Sequence, residues 1–289
     1  MTDVSAPGRE GGRGAALVTG GAKRIGRAIC LELAAAGFDL AIHHRDSGDE
    51  AARVADEIKA MGRRAVCLSA DLADVVATHA LIGRAAEALG PLTVLVNNAS
   101  VFTDDRLESL TGESWSAHMD VNLRAPVLLA QVFAAQAPDG SAIVNILDQR
   151  VLKPDPRFFS YGLSKSALWV ATRTMAQALA PHIRVNGVGP GPTLPSVHQA
   201  AGEFEQGPAA SAHQVVKPFF SDCSLCRLAG SELLIRRVAH DGFIFPVNLP
   251  VPAPGCGPLG DIFPAFQPTD KRGLSGRDGS TGAGYVRAC

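Results

Sequence analysis

The stretch TGGAKRIGRA, residues 19–28, follows the short apolar run at 15–19 and leads into a segment with helical apolar spacing. Gly20 and Gly21 permit a tight turn there, and Gly26 permits close approach of the helix that follows. The amides opening that helix can hold a pyrophosphate against the positive end of its dipole. A glycine pattern alone is weak, but this one follows a strand, opens a helix and begins a longer alternating series. It predicts a dinucleotide site that includes Gly20, Lys23, Arg24, Ile25 and Gly26.

Working outward, the chain alternates strand-like and helix-like segments from residue 15 to about 190. Strand candidates are 15–19, 39–43, 65–69, 93–97, 142–147 and 183–188; helix candidates are 25–36, 49–61, 75–89, 115–135 and 161–179. This alternation predicts an α/β fold, a doubly wound parallel sheet of Rossmann type in a single domain. Ligands on such sheets bind outside the carboxyl ends of the strands. Functional residues are therefore expected just after each strand.

The second strand ends in AIHHRDS, where an NAD site usually offers an acid for the ribose 2′-hydroxyl. This chain offers His43, His44 and Arg45, and a guanidinium can pair bidentately with a 2′-phosphate. Lys23 and Arg24 add positive charge nearby, whereas Asp46 opposes it and a solvated helix start is the plainer reading. The balance favours NADPH. Asp71 and Leu72 after the third strand can meet the adenine edge, and Asn98, Ala99 and Ser100 follow the fourth. Each alone is more often a turn than a site; their shared sheet edge joins them.

The fifth strand runs into an acid in SAIVNILDQR, at Asp148. A carboxylate with little access to water is costly unless it is paired or hydrogen-bonded. An ion pair with Arg150 or a loop cap accounts for it structurally; a role in proton transfer accounts for it functionally. Tyr161 and Lys165 are spaced i, i+4, so one helix face carries both. A free tyrosine titrates near 10, and a neighbouring lysine cation is expected to lower that value toward the range of acid–base work.

Together these motifs resemble the short-chain dehydrogenase/reductase family, over about residues 13–197. The matching residues are TGGAKRIG at 19–26, Asp71, NNAS at 97–100, Asn122 in DVNLRAP, Tyr161 and Lys165 in YGLSK, and RVNGVGPGPT at 184–193. Within the family the chain looks most like the pteridine reductases, through Arg24, the HHR at 43–45, and Asp148 where most members have serine. The thirteen-residue interval from Asp148 to Tyr161 is the one that separates serine and tyrosine in typical members.

The resemblance implies that Arg24 contacts both cofactor and pterin, and that Phe102 stacks on the pterin ring. It also implies that Lys165, Pro190, Gly191 and Thr193 contact the cofactor, and that Asn122 holds a water leading to Lys165. Ser100, Asp148 and Tyr161 complete the implied substrate site. The implied activity is NADPH-dependent reduction of a dihydropterin or dihydrofolate, with Tyr161 as proton donor. A carbonyl or alcohol oxidoreductase and a nucleotide-binding protein without turnover are the alternatives. A homo-oligomer, tetramer or dimer, is expected by the same resemblance.

Composition sets the remaining bounds. A net charge of −1 and a pI near 6.7 give no electrostatic reason to expect nucleic acid or an anionic membrane. No apolar run is long enough for a membrane span, and residues 1–13 read as a flexible leader without a signal-peptide core. A reducing cytoplasm with free thiols is expected. Cys223-x-x-Cys226 lacks a second pair, so no metal is predicted.

Residues 14–197 form the expected nucleotide-binding domain, and 198–289 a divergent Pro/Gly-rich region. Residues 217–289 hold eight of the nineteen prolines and four of the six cysteines, and no strand candidate appears beyond Gly207. A reading-frame shift or a lineage-specific extension folded over the site would each account for this loss of pattern.

Overall fold

Every side chain of β1 (Ala15–Val18) is buried, because successive residues feed opposite cores. Ala15 and Leu17 join one core while Ala16 and Val18 join the other. In β2 (Asp39–His44), Ala41 enters the first and Leu40 and Ile42 the second. A strand covered on both faces needs apolar residues at consecutive positions, which explains the unbroken runs. Leu17 is fully buried, so Leu17→Ala is expected to cost about 2–5 kcal/mol.

The computed structural model describes residues 13–190 and 243–245. All of them fall in the first of two compact units, Met1–Pro250. The remaining strands are β3 (Ala65–Ser69), β4 (Leu92–Asn97), β5 (Ser141–Ile146), β6 (Ile183–Gly189) and β7 (Phe243–Phe245). Their order is β3-β2-β1-β4-β5-β6-β7, with β1 to β6 parallel. The doubly wound, Rossmann-type α/β sheet expected from the alternation is the one observed. The strand order reverses between β1 and β4, so a crevice opens beyond their carboxyl ends.

β7 departs from the sequence reading, which found no strand beyond Gly207. It pairs antiparallel with β6, Val188 opposite Ile244. Three residues are too few for a period to register. Gly191, Thr193, Cys223, Cys226, the leader to residue 12 and the rest of the C-terminal region lie outside the described residues.

Helices α1 (Arg24–Ala35) and α2 (Gly48–Ala60) pack on the core containing Ala16 and Val18. Helices α3 (Val75–Leu89) and α5 (Ala125–Ala134) pack on the other, together with the end of α6 (Phe159–Leu179). Asp74 caps α3, its carboxylate accepting from the amides of Val76 and Ala77 at 2.7 and 3.2 Å.

The single helix expected at 115–135 is interrupted. α4 (Gly112–Met119) passes through a π-helical turn, Asp120–Arg124, into α5. Pro126 has no N–H for the Asn122 carbonyl, so the regular i→i−4 ladder cannot run through this point.

Candidate active site

The glycine turn is built by contacts that only glycine allows. Gly20 has φ of 61°, and its amide donates to His43 Nδ1 at 3.1 Å. A Cβ on Gly26 would overlap the Gly20 carbonyl oxygen. Thr19 and Asn98 tie this turn to the end of β4. Thr19 Oγ1 accepts from the amides of Asn98 and Ala99 at 2.9 and 3.0 Å. Asn98 Nδ2 donates to the carbonyls of Thr19 and Gly20 at 2.9 and 3.1 Å.

Beyond these strand ends lies a cleft of about 550 Å³. The turn contributes Gly20, Lys23, Arg24, Ile25 and Gly26; His44 and Arg45 follow from the β2 end, Asp71 and Leu72 from beyond β3. Asn98, Ala99 and Ser100 complete the wall after β4. The volume is within the range of small-molecule sites, and a glycine turn opening a helix suits a pyrophosphate. Asn98 lines the cleft, but its side-chain amide is engaged with the turn, so it shapes the wall.

Cations stand at the mouth. Lys23 pairs with Glu50 at 2.9 Å and Arg45 with Asp46 at 2.6 Å, all four side chains being substantially exposed. An incoming 2′-phosphate would compete with Asp46 for the Arg45 guanidinium. Arg24 has φ of 51°, in the left-handed region that bulky residues seldom adopt.

His43 does not join these cations, contrary to the grouping made from sequence. It is buried, its Nε2 reaching the Ala70 carbonyl at 3.1 Å while Nδ1 accepts from Gly20. Burial pushes its pKa down from 6.5 to about 4. It is a neutral strut that links the glycine turn to the segment after β3.

Asp148, two residues beyond β5, caps a loop and also reaches Tyr161. Its Oδ1 accepts from the Arg150 amide at 2.8 Å, capping a 3-10 turn. Its Oδ2 accepts from the Tyr161 hydroxyl at 2.8 Å, and Arg150 Nη1 approaches the same oxygen at 3.4 Å.

Lys165 is buried on the same face of α6 and donates to the Ile146 carbonyl at 2.8 Å. Its Nζ lies 5.8 Å from the centre of the Tyr161 ring. Burial lowers the Lys165 pKa to about 8, against the opposing pull of Asp148.

One sequence expectation is corrected here. Tyr161 is not shifted downward by Lys165: burial, the Asp148 charge and the Asp148 hydrogen bond raise its pKa well above 10. The phenol therefore holds its proton in this geometry. The Asn122 side chain is occupied by protein partners. Its Nδ2 donates to Val101 O and Ser164 Oγ, and its Oδ1 accepts from Val101 N and Ser100 Oγ. These four bonds saturate the amide.

Phe102 stacks on Phe158, with ring centres 4.3 Å apart, and meets the Tyr161 ring edge-on at 4.6 Å. The Arg150 guanidinium lies 5.5 Å from the Phe102 ring centre and 5.1 Å from that of Phe158. Phe158, with φ of 57°, was not singled out from sequence, nor was the buried set Asp105, His118 and Ser160. Their one local signal is that Ser160 precedes Tyr161. Pro190 follows β6 directly and is half-buried. Among the described residues no group of His, Cys, Asp and Glu could hold a metal, and no helix is long and apolar enough to cross a membrane.

The short chain dehydrogenase family model matches residues 14–206. Two crystal structures of FolM alternative dihydrofolate reductase 1 with NADP are similar over most of their length. That from Brucella suis is 46% identical, covering 70% of this chain and 81% of that one, with a TM-score of 0.65. That from Brucella canis is 42% identical, covering 78% and 88%, with a TM-score of 0.67. The short-chain dehydrogenase/reductase FrzI of Cladobotryum sp is 36% identical over 180 residues, 62% of this chain and 70% of that protein.

Proposed function

The chain belongs to the short chain dehydrogenase family and is an oxidoreductase, and we propose that it is an NADPH-dependent reductase of a pteridine, of dihydropterin or dihydrofolate type. The observation that carries this reading is the 2.8 Å bond from Tyr161 to Asp148 at the end of β5. A carboxylate offers acceptors only, so it suits a heterocycle bearing N–H donors better than a carbonyl oxygen. The likeness to two NADP-bound FolM dihydrofolate reductases supports the same substrate class.

NADPH, when bound, supplies the hydride. The turn at Gly20 to Gly26 suits its pyrophosphate, and Lys23 and Arg45 suit its 2′-phosphate. Arg24 is proposed to reach both cofactor and pterin from the cleft, with Ser100 on the facing wall. Asp148 orients the Tyr161 hydroxyl, which turns to deliver its proton to the ring nitrogen beside the reduced carbon. Lys165, fixed on the Ile146 carbonyl, stabilises the phenolate that remains. Phe102, backed by Phe158, offers an aromatic platform beside Tyr161.

The test is NADPH oxidation with dihydrobiopterin and with a panel of ketones, in the wild type and in Tyr161→Phe. The reading expects pterin turnover in the wild type and a loss of about 100-fold or more in the variant. Turnover of ketones alone would replace the pteridine by a carbonyl substrate. Equal rates in the two proteins would sink the role of Tyr161, and tight NADPH binding without any turnover would sink the enzyme reading.

A further inference from the structure

Asp105 is a buried carboxylate outside the cofactor cleft, and its oxygens are committed to one place. Oδ1 accepts from the Ser160 amide at 3.0 Å; Oδ2 accepts from the Ser160 and Ser114 hydroxyls, the latter at 3.1 Å. Its own carbonyl accepts from the Phe159 amide at 3.0 Å. His118, fully buried, continues the chain. The Thr103 amide donates to His118 Nε2 at 3.2 Å, so that nitrogen carries no hydrogen in the neutral ring. Nδ1–H then donates to Ser160 Oγ at 2.6 Å, which leaves the Ser160 hydroxyl hydrogen for Asp105. Every bond in the series has one direction.

The charge states fit this order. Burial alone would raise the Asp105 pKa, but the bonds from Ser160 and Ser114 and the nearby His118 hold it below the usual carboxylate value. Burial lowers that of His118 despite the Asp105 charge. A buried carboxylate and imidazole are costly to keep where apolar packing would serve, but a fully satisfied network specifies a unique geometry. That geometry surrounds Tyr161. Ser160 is its chain neighbour, the His118 ring meets the Tyr161 ring edge-on at 6.0 Å, and Thr103 follows Phe102.

We infer that Asp105, acting through Ser160 and His118, is a positioning unit that sets Tyr161 and the Phe102 loop in one geometry for the reaction. The inference rests on the proposed roles of Tyr161 and Phe102. None of the three residues lines the cofactor cleft.

The test uses Ser160→Ala and Asp105→Asn in the full chain, each alone and combined with Tyr161→Phe. The expected result is a fall in kcat with dihydrobiopterin of about tenfold or more, since small misplacements of a reacting group are costly in rate. NADPH Kd stays within about twofold, because the cleft is untouched. In the Tyr161→Phe background the residual rate is unchanged by either variant.

A second readout needs no turnover. The chain has two tyrosines, Tyr161 and Tyr285, so phenolate absorbance in a Tyr285→Phe background reports Tyr161 alone. Its pKa should move toward the ordinary value as the bond to Asp148 loosens. Equal-factor losses with and without Tyr161, or an unmoved kcat and titration, would overturn the inference. If Tyr161→Phe leaves pterin turnover intact, the proposed role of Tyr161 fails and the titration alone decides the positioning. Should Ser160→Ala not fold, Asp105→Asn and Ser160→Thr carry the same comparison, the threonine restoring the wild-type values.

Discussion

The Tyr161 hydroxyl donates to Asp148 Oδ2 at 2.8 Å, on the same oxygen that Arg150 Nη1 approaches at 3.4 Å. The other carboxylate oxygen is held by the Arg150 amide, so the acid cannot turn away without undoing its own 3-10 turn. Structural cap and partner of the proposed proton donor are thus one group. The arrangement keeps the phenol protonated and aimed, which suits a donor that acts once per turnover.

Asp148→Ser removes the charge and the bond that raise the Tyr161 pKa, leaving burial as the main remaining cause. A serine also supplies a donor to a carbonyl oxygen. Pterin kcat/KM should fall by about 10- to 100-fold while ketone turnover rises. Steady-state kinetics with both substrate classes decide it; an unchanged pterin value would make Asp148 purely structural.

Lys165 gives the site an alkaline limit. Burial lowers its pKa from 10.5 to about 8, so the folded protein loses this cation as pH rises through about 8. The unfolded chain keeps its proton to 10.5, so conformational stability should rise with pH across that window even as the cation disappears. The profile of kcat/KM should show a descending limb centred near pH 8. In Lys165→Arg the charge persists, and whatever activity remains should be flat through that range.

His43 ties stability to acid. Its folded pKa, about 4, lies below the unfolded 6.5. The unfolded state then binds more protons between these values, so stability is complete above about 6.5 and falls as pH drops toward 4. The loss is on the order of 3 kcal/mol for this shift. Urea midpoints measured against pH should show the slope in the wild type and a weaker one in His43→Asn, which retains an acceptor for Gly20.

Arg45→Ala tests the choice of cofactor. Charge-assisted hydrogen bonds contribute about 1.5–3 kcal/mol, so NADPH Kd should rise roughly 10- to 100-fold. NADH, without the 2′-phosphate, should bind as before. A parallel loss for both nucleotides would assign Arg45 a role in shaping the cleft mouth.

The β1 run, the glycine turn and the Tyr161–Lys165 spacing are local patterns, and backbone geometry alone makes them informative. Gly26 must be glycine because a Cβ would strike the adjoining turn, and residues four apart share a helix face. From such patterns the sequence by itself determined the doubly wound sheet and which strand ends carry the candidate site. It could not determine protonation, since that depends on burial and on partners brought from elsewhere.

Lys165 looks, on its helix, like the cation that acidifies Tyr161; in the fold it is anchored on Ile146, while burial and Asp148 shift the phenol the other way. His43 reads as one more charge near a phosphate, yet Gly20 and Ala70 make it a neutral strut. Asp105, His118 and Ser160 show no common motif, because 42 and 55 residues of chain separate the groups that bond. Only tertiary structure joins them, and the physical reason is desolvation: polar groups taken out of water must find each other, and chain packing decides which ones do.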